Sequence, residues 1–350
     1  MTRPSTRPGR RASGAPAGAS SRAAAGASTA APWGKDLLAL SAIPPADVLR
    51  LLREARRMKA LRRRGVQHRP LRGATLGLVF EKPSTRTRVS FEAGMNQLGG
   101  QSLFLSATDI QMCRGESIAD TARVLSRYLD GLVVRTYEHA TVEEWAREAA
   151  IPVINGLTDL SHPCQALSDL LTILEAKGRL EGVKLAYVGD GNNVANSLIE
   201  GAAKTGMTIC LACPGGYEPD QRIVDLARAE AERTGATIEI GDDPLVAVKD
   251  ADVLYTDVWI SMGREREQAR RLKALAPYQV NERLLKRARP DAIVLHCLPA
   301  HRGQEITAGV LDGPRSAILD QAENRLHMQK AILVALLGRR GRGRTAGREG

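Results

Sequence analysis

Short apolar runs that end in polar turns, each followed by apolar residues at helical spacing, recur along this chain from residue 76 to residue 337. Such runs read as strands buried on both faces, and their alternation with helices builds parallel sheets covered on both sides. The alternation comes in two series. In the first, strands are expected near 76–80, 101–105, 132–134 and 151–154, with helices near 44–63, 84–99, 116–129 and 141–150. A helix over 161–175 joins it to the second series. There the strands fall near 183–188, 207–212, 237–240, 253–256 and 292–295, with helices near 195–205, 220–231, 244–249, 264–275 and 281–287. A last amphipathic helix over 321–337 is expected to pack back across both halves. The predicted fold is α/β, with two similar-sized domains, each a parallel sheet covered by helices, and an active site in the cleft between them.

The chain has 350 residues, ordinary for two domains. Its formal net charge of +11 invites a nucleic-acid reading. The distribution argues otherwise. Residues 1–34 carry +5 and residues 339–350 carry +4, which leaves +2 for everything between. An aromatic content of 3% also speaks against base stacking, so no specific nucleic acid is expected. The leader is rich in Arg, Ser and Ala and lacks acids, as transit peptides do, but after Met1 residues 2–32 hold no Leu, Ile, Val, Phe or Met with which to make the apolar face of an amphipathic helix. A disordered leader on a cytoplasmic protein is expected, with organelle import as the alternative, and a disordered tail at 339–350. No apolar run approaches a membrane span.

Five cysteines, an odd number with no secretion signal, point to reduced thiols. Cys210 and Cys213 form a CxxC at the end of a strand-like run rather than at a helix start, which favours buried packing over redox chemistry. The six histidines show no metal-ligand spacing, so no metal and no cofactor is expected.

Ligands of open α/β sheets bind beyond the carboxyl ends of strands. Those ends are unusually polar here. The first strand runs into Ser84-Thr85-Arg86-Thr87-Arg88, where hydroxyl caps and guanidiniums meet a helix N-terminus, a ready anion site. Others lead to Arg135, to Asn155-Gly156-Leu157-Thr158-Asp159 and to His162-Pro163-Cys164-Gln165. In the second half come Gly189-Asp190-Gly191-Asn192-Asn193, Thr256-Asp257 and His296-Cys297-Leu298-Pro299. Singly, each has a bland reading as a cap, a turn or a strand end. Jointly they describe a cleft with one cationic edge and one edge of amides and carboxylates.

Four of these motifs carry a resemblance. Ser84 to Arg88, His162 to Gln165, the D-V-W-I-S-M-G run from Asp257 to Gly263 and His296 to Pro299 resemble ornithine carbamoyltransferases. The resemblance runs in order from about residue 36 to 337; the last two motifs are the more specific to the ornithine enzymes. It implies a carbamoyl phosphate-binding domain at 35–167, an ornithine-binding domain at 168–320 and a crossing helix at 321–338. Ser84, Thr85, Arg86 and Thr87 would cradle the phosphate. Arg135, His162 and Gln165 would hold the carbamoyl end, with Gln111 (from a neighbouring subunit), Cys297, Leu298 and Arg325 completing that site. Leu157, Asn193, Asp257, Ser261 and Met262 would bind ornithine. Arg135 and His162 would polarise the carbonyl, and Asp257 or Cys297 would orient the amine or take its proton. The family also implies a homotrimer, or a multiple of trimers, with active sites at subunit interfaces. Aspartate, putrescine and N-acetylornithine remain alternative acceptors. The chain departs from the family pattern at Cys113, where Gly is usual, which bears on the loop carrying Gln111.

Overall fold

The computed structural model describes residues 31, 33–107, 115–260 and 265–338. The predicted leader and tail, Gln111, Cys113, Ser261 and Met262 lie outside the described residues, apart from Ala31, Trp33 and Gly34 at the leader's end.

Helix α1 (Pro45–Arg63) opens the chain's first unit. Strand β1 (Thr75–Phe80), α2 (Thr85–Gln97), β2 (Gln101–Ser106), α3 (Ile118–Tyr128), β3 (Gly131–Arg135), α4 (His139–Glu148) and β4 (Val153–Leu157) follow. Helix α5 (Pro163–Lys177) leads to β5 (Lys184–Val188), α6 (Asn193–Thr205), β6 (Thr208–Ala212), α7 (Gln221–Thr234), β7 (Thr237–Gly241), α8 (Pro244–Val248) and β8 (Val253–Thr256). Then come α9 (Gln268–Leu275), α10 (Glu282–Leu285), β9 (Ile293–His296), α11 (Ala308–Leu311) and α12 (Ile318–Leu337). Both sheets are wholly parallel. The first has the order β2-β1-β3-β4 and the second β7-β6-β5-β8-β9. The architecture is therefore the expected α/β pair of helix-covered parallel sheets.

This strand order decides where a ligand can sit. In the first sheet the chain leaves β1 for β2 on one side and returns to β3 on the other. In the second it leaves β5 for β6 and returns to β8. Each reversal parts the connections and opens a crevice at the strands' carboxyl ends. The two crevices face one another.

Two predicted boundaries are corrected. Strand β4 does not stop before Asn155-Gly156 but runs through them to Leu157. Val134 pairs with Asn155 and Arg135 with Leu157, so Gly156 is the extra residue of a bulge beside Arg135. A Cβ on Gly156 would lie 3.3 Å from the Val134 carbonyl oxygen, which explains why the bulge takes glycine. The helix expected from residue 264 is instead a 3₁₀ turn, Glu265–Glu267, leading into α9.

Two long helices tie the molecule together. From Pro163 to Ile173 every residue of α5 is buried, as suits a helix enclosed on all sides. Helix α12 packs against α1, α2 and α5. Where α1, α5 and α12 meet, buried Lys59 donates to Glu175 at 2.7 Å and to Asn324 at 2.7 Å, so a cation that burial would penalise is fully partnered. Helix α6 contributes buried Glu200, whose carboxylate accepts the backbone N–H groups of Leu40 and Ser41. Cys210 and Cys213 are buried free thiols, both pushed up to about 12 by burial, in keeping with packing rather than redox use.

The turn after β5 is tightly constrained. Gly191 donates to the Tyr217 carbonyl at 2.8 Å, and a Cβ there would lie 2.4 Å from the Pro219 backbone nitrogen. Backbone cannot swing aside as a side-chain end can. Gly191→Ala is expected to cost about 1–3 kcal/mol, the range for overpacking, seen as a lower denaturation midpoint in urea; an unchanged midpoint would show that the turn yields freely.

Candidate active site

The facing crevices form one cleft of about 710 Å³. Its first wall begins at the N-terminus of α2. Ser84 takes an extended backbone conformation and its hydroxyl accepts the Thr87 N–H at 3.3 Å, as expected of an N-cap. The remaining N–H groups and the positive end of the helix dipole point at the cleft. Arg86 reaches across to donate to the Leu298 carbonyl. Arg135 ends β3, placed by the bulge, and is buried. Arg325 comes from α12; its guanidinium donates to Gln165 Oε1 at 2.5 Å and to Thr87 Oγ1 at 3.1 Å.

Three guanidiniums thus converge on one wall, Arg135 and Arg325 buried and Arg86 half-buried, and their neighbours respond. Burial, then Arg325 and Arg86, bring Arg135 down to about 10. Burial, then the same cluster of arginines, holds His162 well below the ordinary imidazole value, so its ring is neutral at physiological pH. His162 Nδ1 and Arg325 Nε are buried with no hydrogen-bond partner among the described residues. A wall of this kind suits an anion that also carries a polar acceptor group.

The opposite wall has the opposite sign. Asp257 lies just beyond β8, buried, and accepts from Asn192 Nδ2 at 2.8 Å and from the Cys297 thiol at 2.8 Å. Burial and the neighbouring Asp257 push the Cys297 thiol well above its ordinary value, so it stays protonated and acts as a donor. Asn192 also caps α6, its Oδ1 accepting the N–H groups of Val194 and Ala195. Asn193 donates to the Thr158 carbonyl, joining α6 to the loop after β4. Asp159, Asp190, Glu218 and Asp220 also line the cleft. The cation here, Arg271, is buried against Asp190 at 2.8 Å and also donates to the Trp259 carbonyl at 3.0 Å.

Every predicted site residue that is described lines this cleft: Ser84, Thr85, Arg86, Thr87, Arg135, Leu157, His162, Gln165, Asn193, Asp257, Cys297, Leu298 and Arg325. Gln111, Ser261 and Met262 lie outside the described residues. Sequence reasoning placed Asp190 and Asn192 in a polar strand end without a role for either, and missed Arg271. The cap position of Asn192 was legible; nothing in the linear sequence pairs Arg271 with Asp190. The expectation of no metal-ligand grouping is corrected. Ligand atoms of Asp257, His296 and Cys297 lie within 4.8 Å of one another, because β8 and β9 are adjacent strands. These atoms already serve one another and their surroundings. His296 Nδ1 accepts the Leu298 N–H at 2.8 Å and its Nε2 meets buried Glu305 at 3.2 Å.

Comparison with known proteins follows this division of the cleft. Residues 35–175 match the family model described as the aspartate/ornithine carbamoyltransferase carbamoyl-P binding domain, and residues 181–336 match that of the Asp/Orn binding domain. The chain is 56% identical over 303 residues to an ornithine carbamoyltransferase of Syntrophus aciditrophicus, covering 87% of this chain and 99% of that one. It is 57% identical over 305 residues to the Bacillus subtilis ornithine carbamoyltransferase, covering 87% and 94%. The solved ornithine carbamoyltransferase of Pyrococcus furiosus superposes with a TM-score of 0.85 at 53% identity, over 87% of this chain and 97% of that one. With a cationic wall on one sheet, an acidic wall on the other and both halves matched in order, the chain belongs to the aspartate/ornithine carbamoyltransferase family.

Proposed function

We propose that this cleft transfers the carbamoyl group of carbamoyl phosphate to the δ-amine of L-ornithine, giving L-citrulline and phosphate. The observation that carries the reading is the charge division: Arg86, Arg135 and Arg325 on one wall, Asp257 with Cys297 on the other. No organic cofactor or metal has a step in it.

In this reading the α2 N-terminus, with Ser84, Thr85, Arg86 and Thr87, takes the phosphate. Gln165, Arg325 and Leu298 surround the carbamoyl end. Arg135 and neutral His162 donate to the carbonyl oxygen and to the oxyanion that forms when the amine attacks. Phosphate then leaves with its charge already neutralised by the guanidiniums. Leu157, Asn193 and Asp257, with Ser261 and Met262, hold ornithine. The attacking amine must be uncharged; Asp257 draws its ammonium form into place, and the protonated Cys297 thiol steadies that carboxylate. Gln111 of a neighbouring copy completes the phosphate end.

The acceptor wall favours a cationic amino acid over a dicarboxylate. Glu218, Asp220 and Asp257 line it, and its Arg271 is already neutralised by Asp190. Aspartate would meet repulsion there, whereas ornithine brings a positive charge. The division at 35–167, 168–320 and 321–338 belongs to the same reading. So does a homotrimer, or a multiple of trimers, in the cytoplasm. In support, β2 is an edge strand with exposed Leu103, and Val89, Val124 and Tyr128 of α2 and α3 are exposed. No helix among the described residues is long and apolar enough to cross a membrane.

A citrulline assay with carbamoyl phosphate against ornithine, N-acetylornithine, putrescine and aspartate tests the reaction. Turnover is expected with ornithine at a kcat/KM at least tenfold above the other three; a preference for any other acceptor overturns the assignment. Arg86→Ala is expected to raise the KM for carbamoyl phosphate by roughly 10–100-fold with an intact circular dichroism spectrum, the scale of one lost charge-assisted contact. Asp257→Asn is expected to impair ornithine use by a similar roughly 10–100-fold while leaving phosphate-analogue binding nearly intact; equal losses at both substrates would make Asp257 a structural residue. Sedimentation velocity is expected to show trimers or multiples of them, and a monomer with full activity would remove the shared-site part of the reading.

A further inference from the structure

Behind the cleft, and not lining it, lies a buried carboxylate that touches both halves. Asp169 sits on α5 with no exposed surface. Its Oδ1 accepts from Gln165 Nε2 at 2.8 Å and from Gln321 Nε2 at 2.8 Å, and its Oδ2 accepts from the Tyr255 hydroxyl at 3.0 Å. Burial raises its carboxyl and these three donors and Arg325 pull it part of the way back, leaving it at about 6, so it is ionised at neutral pH.

Each of its amide partners passes the orientation on. With Nε2 of Gln165 committed to Asp169, Oε1 faces outward and accepts Arg325 Nη1 at 2.5 Å. With Nε2 of Gln321 committed likewise, its Oε1 accepts the His296 backbone N–H at 2.9 Å. That N–H immediately precedes Cys297. Tyr255 is two residues before Asp257 on β8 and stacks on Tyr187 at 5.8 Å between ring centroids. Neither a guanidinium nor a backbone N–H can accept a hydrogen bond. A glutamine amide turned the other way would therefore set donor against donor. Asp169, which when ionised only accepts, is what selects one orientation for both.

We propose that Asp169 is a positioning residue of the transfer reaction, setting Gln165 and Arg325 on the phosphate side and the Cys297 loop on the acceptor side as one unit. The inference deepens the carbamoyl-transfer reading and rests on it. Asp169 touches no substrate; it acts through Gln165, Gln321 and Tyr255. A carboxylate is required rather than an amide, because its surrounding groups are donors.

The test is a kinetic cycle of Asp169→Asn and Gln321→Met on the full chain, with thermal unfolding alongside. Asp169→Asn is expected to keep its circular dichroism spectrum, to lower kcat at least thirtyfold and to raise the KM for carbamoyl phosphate at least threefold. Gln321→Met is expected to lower kcat at least fivefold in the native background and less than twofold in the Asp169→Asn background, since both break the same link. Multiplicative losses, or an Asp169→Asn enzyme within threefold of native kcat and KM, overturn the proposal. If Asp169→Asn does not fold, the pair Gln165→Met and Gln321→Met takes its place. Coupling of at least threefold between these two is expected, and additivity within twofold overturns it. Native turnover reads the carbamoyl-transfer function separately. The rise in unfolding temperature caused by carbamoyl phosphate reads positioning without turnover. It is expected to fall by at least half in Asp169→Asn, or in Gln321→Met where the first does not fold; an unchanged rise overturns the proposal.

Discussion

Burying several like charges together is the constraint on which the structure turns. Arg86, Arg135 and Arg325 come from α2, β3 and α12, and no short loop brings three such positions to one wall. The desolvation of Arg135 and Arg325 and the repulsion among the three both oppose folding. The fold answers with fixed dipoles and acceptors: the Leu298 carbonyl for Arg86, Gln165 and Thr87 for Arg325. That answer is partial. His162 Nδ1 and Arg325 Nε stay buried with no partner among the described residues. A wall left in that condition is matched by an anion with an acceptor group, and carbamoyl phosphate in the proposed reaction is both.

The two topological switch points convert this wall into a cleft with direction. A single doubly wound sheet offers one crevice. Here α5 carries the chain from the first sheet to the second while buried along most of its length, and α12 returns to pack against α1, α2 and α5. Opposing crevices let one sheet hold the anion and the other an amine, with the reacting groups between them. Arg86, Arg135, Gln165 and Arg325 sit on helices and a strand, so the spacing of the cationic wall is set by sheet register and helix packing.

Much of this was legible in the sequence, and the exceptions share a cause. The strand and helix alternation is local, so both sheets and nearly all their elements could be read from apolar spacing and caps. The polar residues at strand ends were legible because an α/β sheet gives that position its meaning. What escaped were pairings across sequence distance. Asn192 with Asp257, Arg271 with Asp190, and the approach of His296 and Cys297 to Asp257 all depend on which strands lie side by side. The order β5-β8-β9 creates them, and a chain with another order could carry the same motifs without them. The bulge at Gly156 was missed for a related reason: an Asn-Gly pair normally ends a strand, and only the register with β3 shows that it continues.

The thiol beside Asp257 shows how the acceptor wall keeps its sign. A thiolate there would double the negative charge in a buried place, and the carboxylate together with burial holds the proton on sulfur. Cys297 thus donates to Asp257 at 2.8 Å, as Asn192 does from the other side. Two neutral donors satisfy the carboxylate without cancelling its charge, which a lysine or arginine in either place would do. Arg271 is the contrast, since its charge is spent on Asp190 at 2.8 Å. An acidic wall whose carboxylate is held by neutral donors can receive an ammonium, with the Asp257 carboxylate as the base that takes the proton the amine loses before it attacks. In the proposed reaction that is the property the acceptor side needs, because an amine must arrive charged from water and attack uncharged.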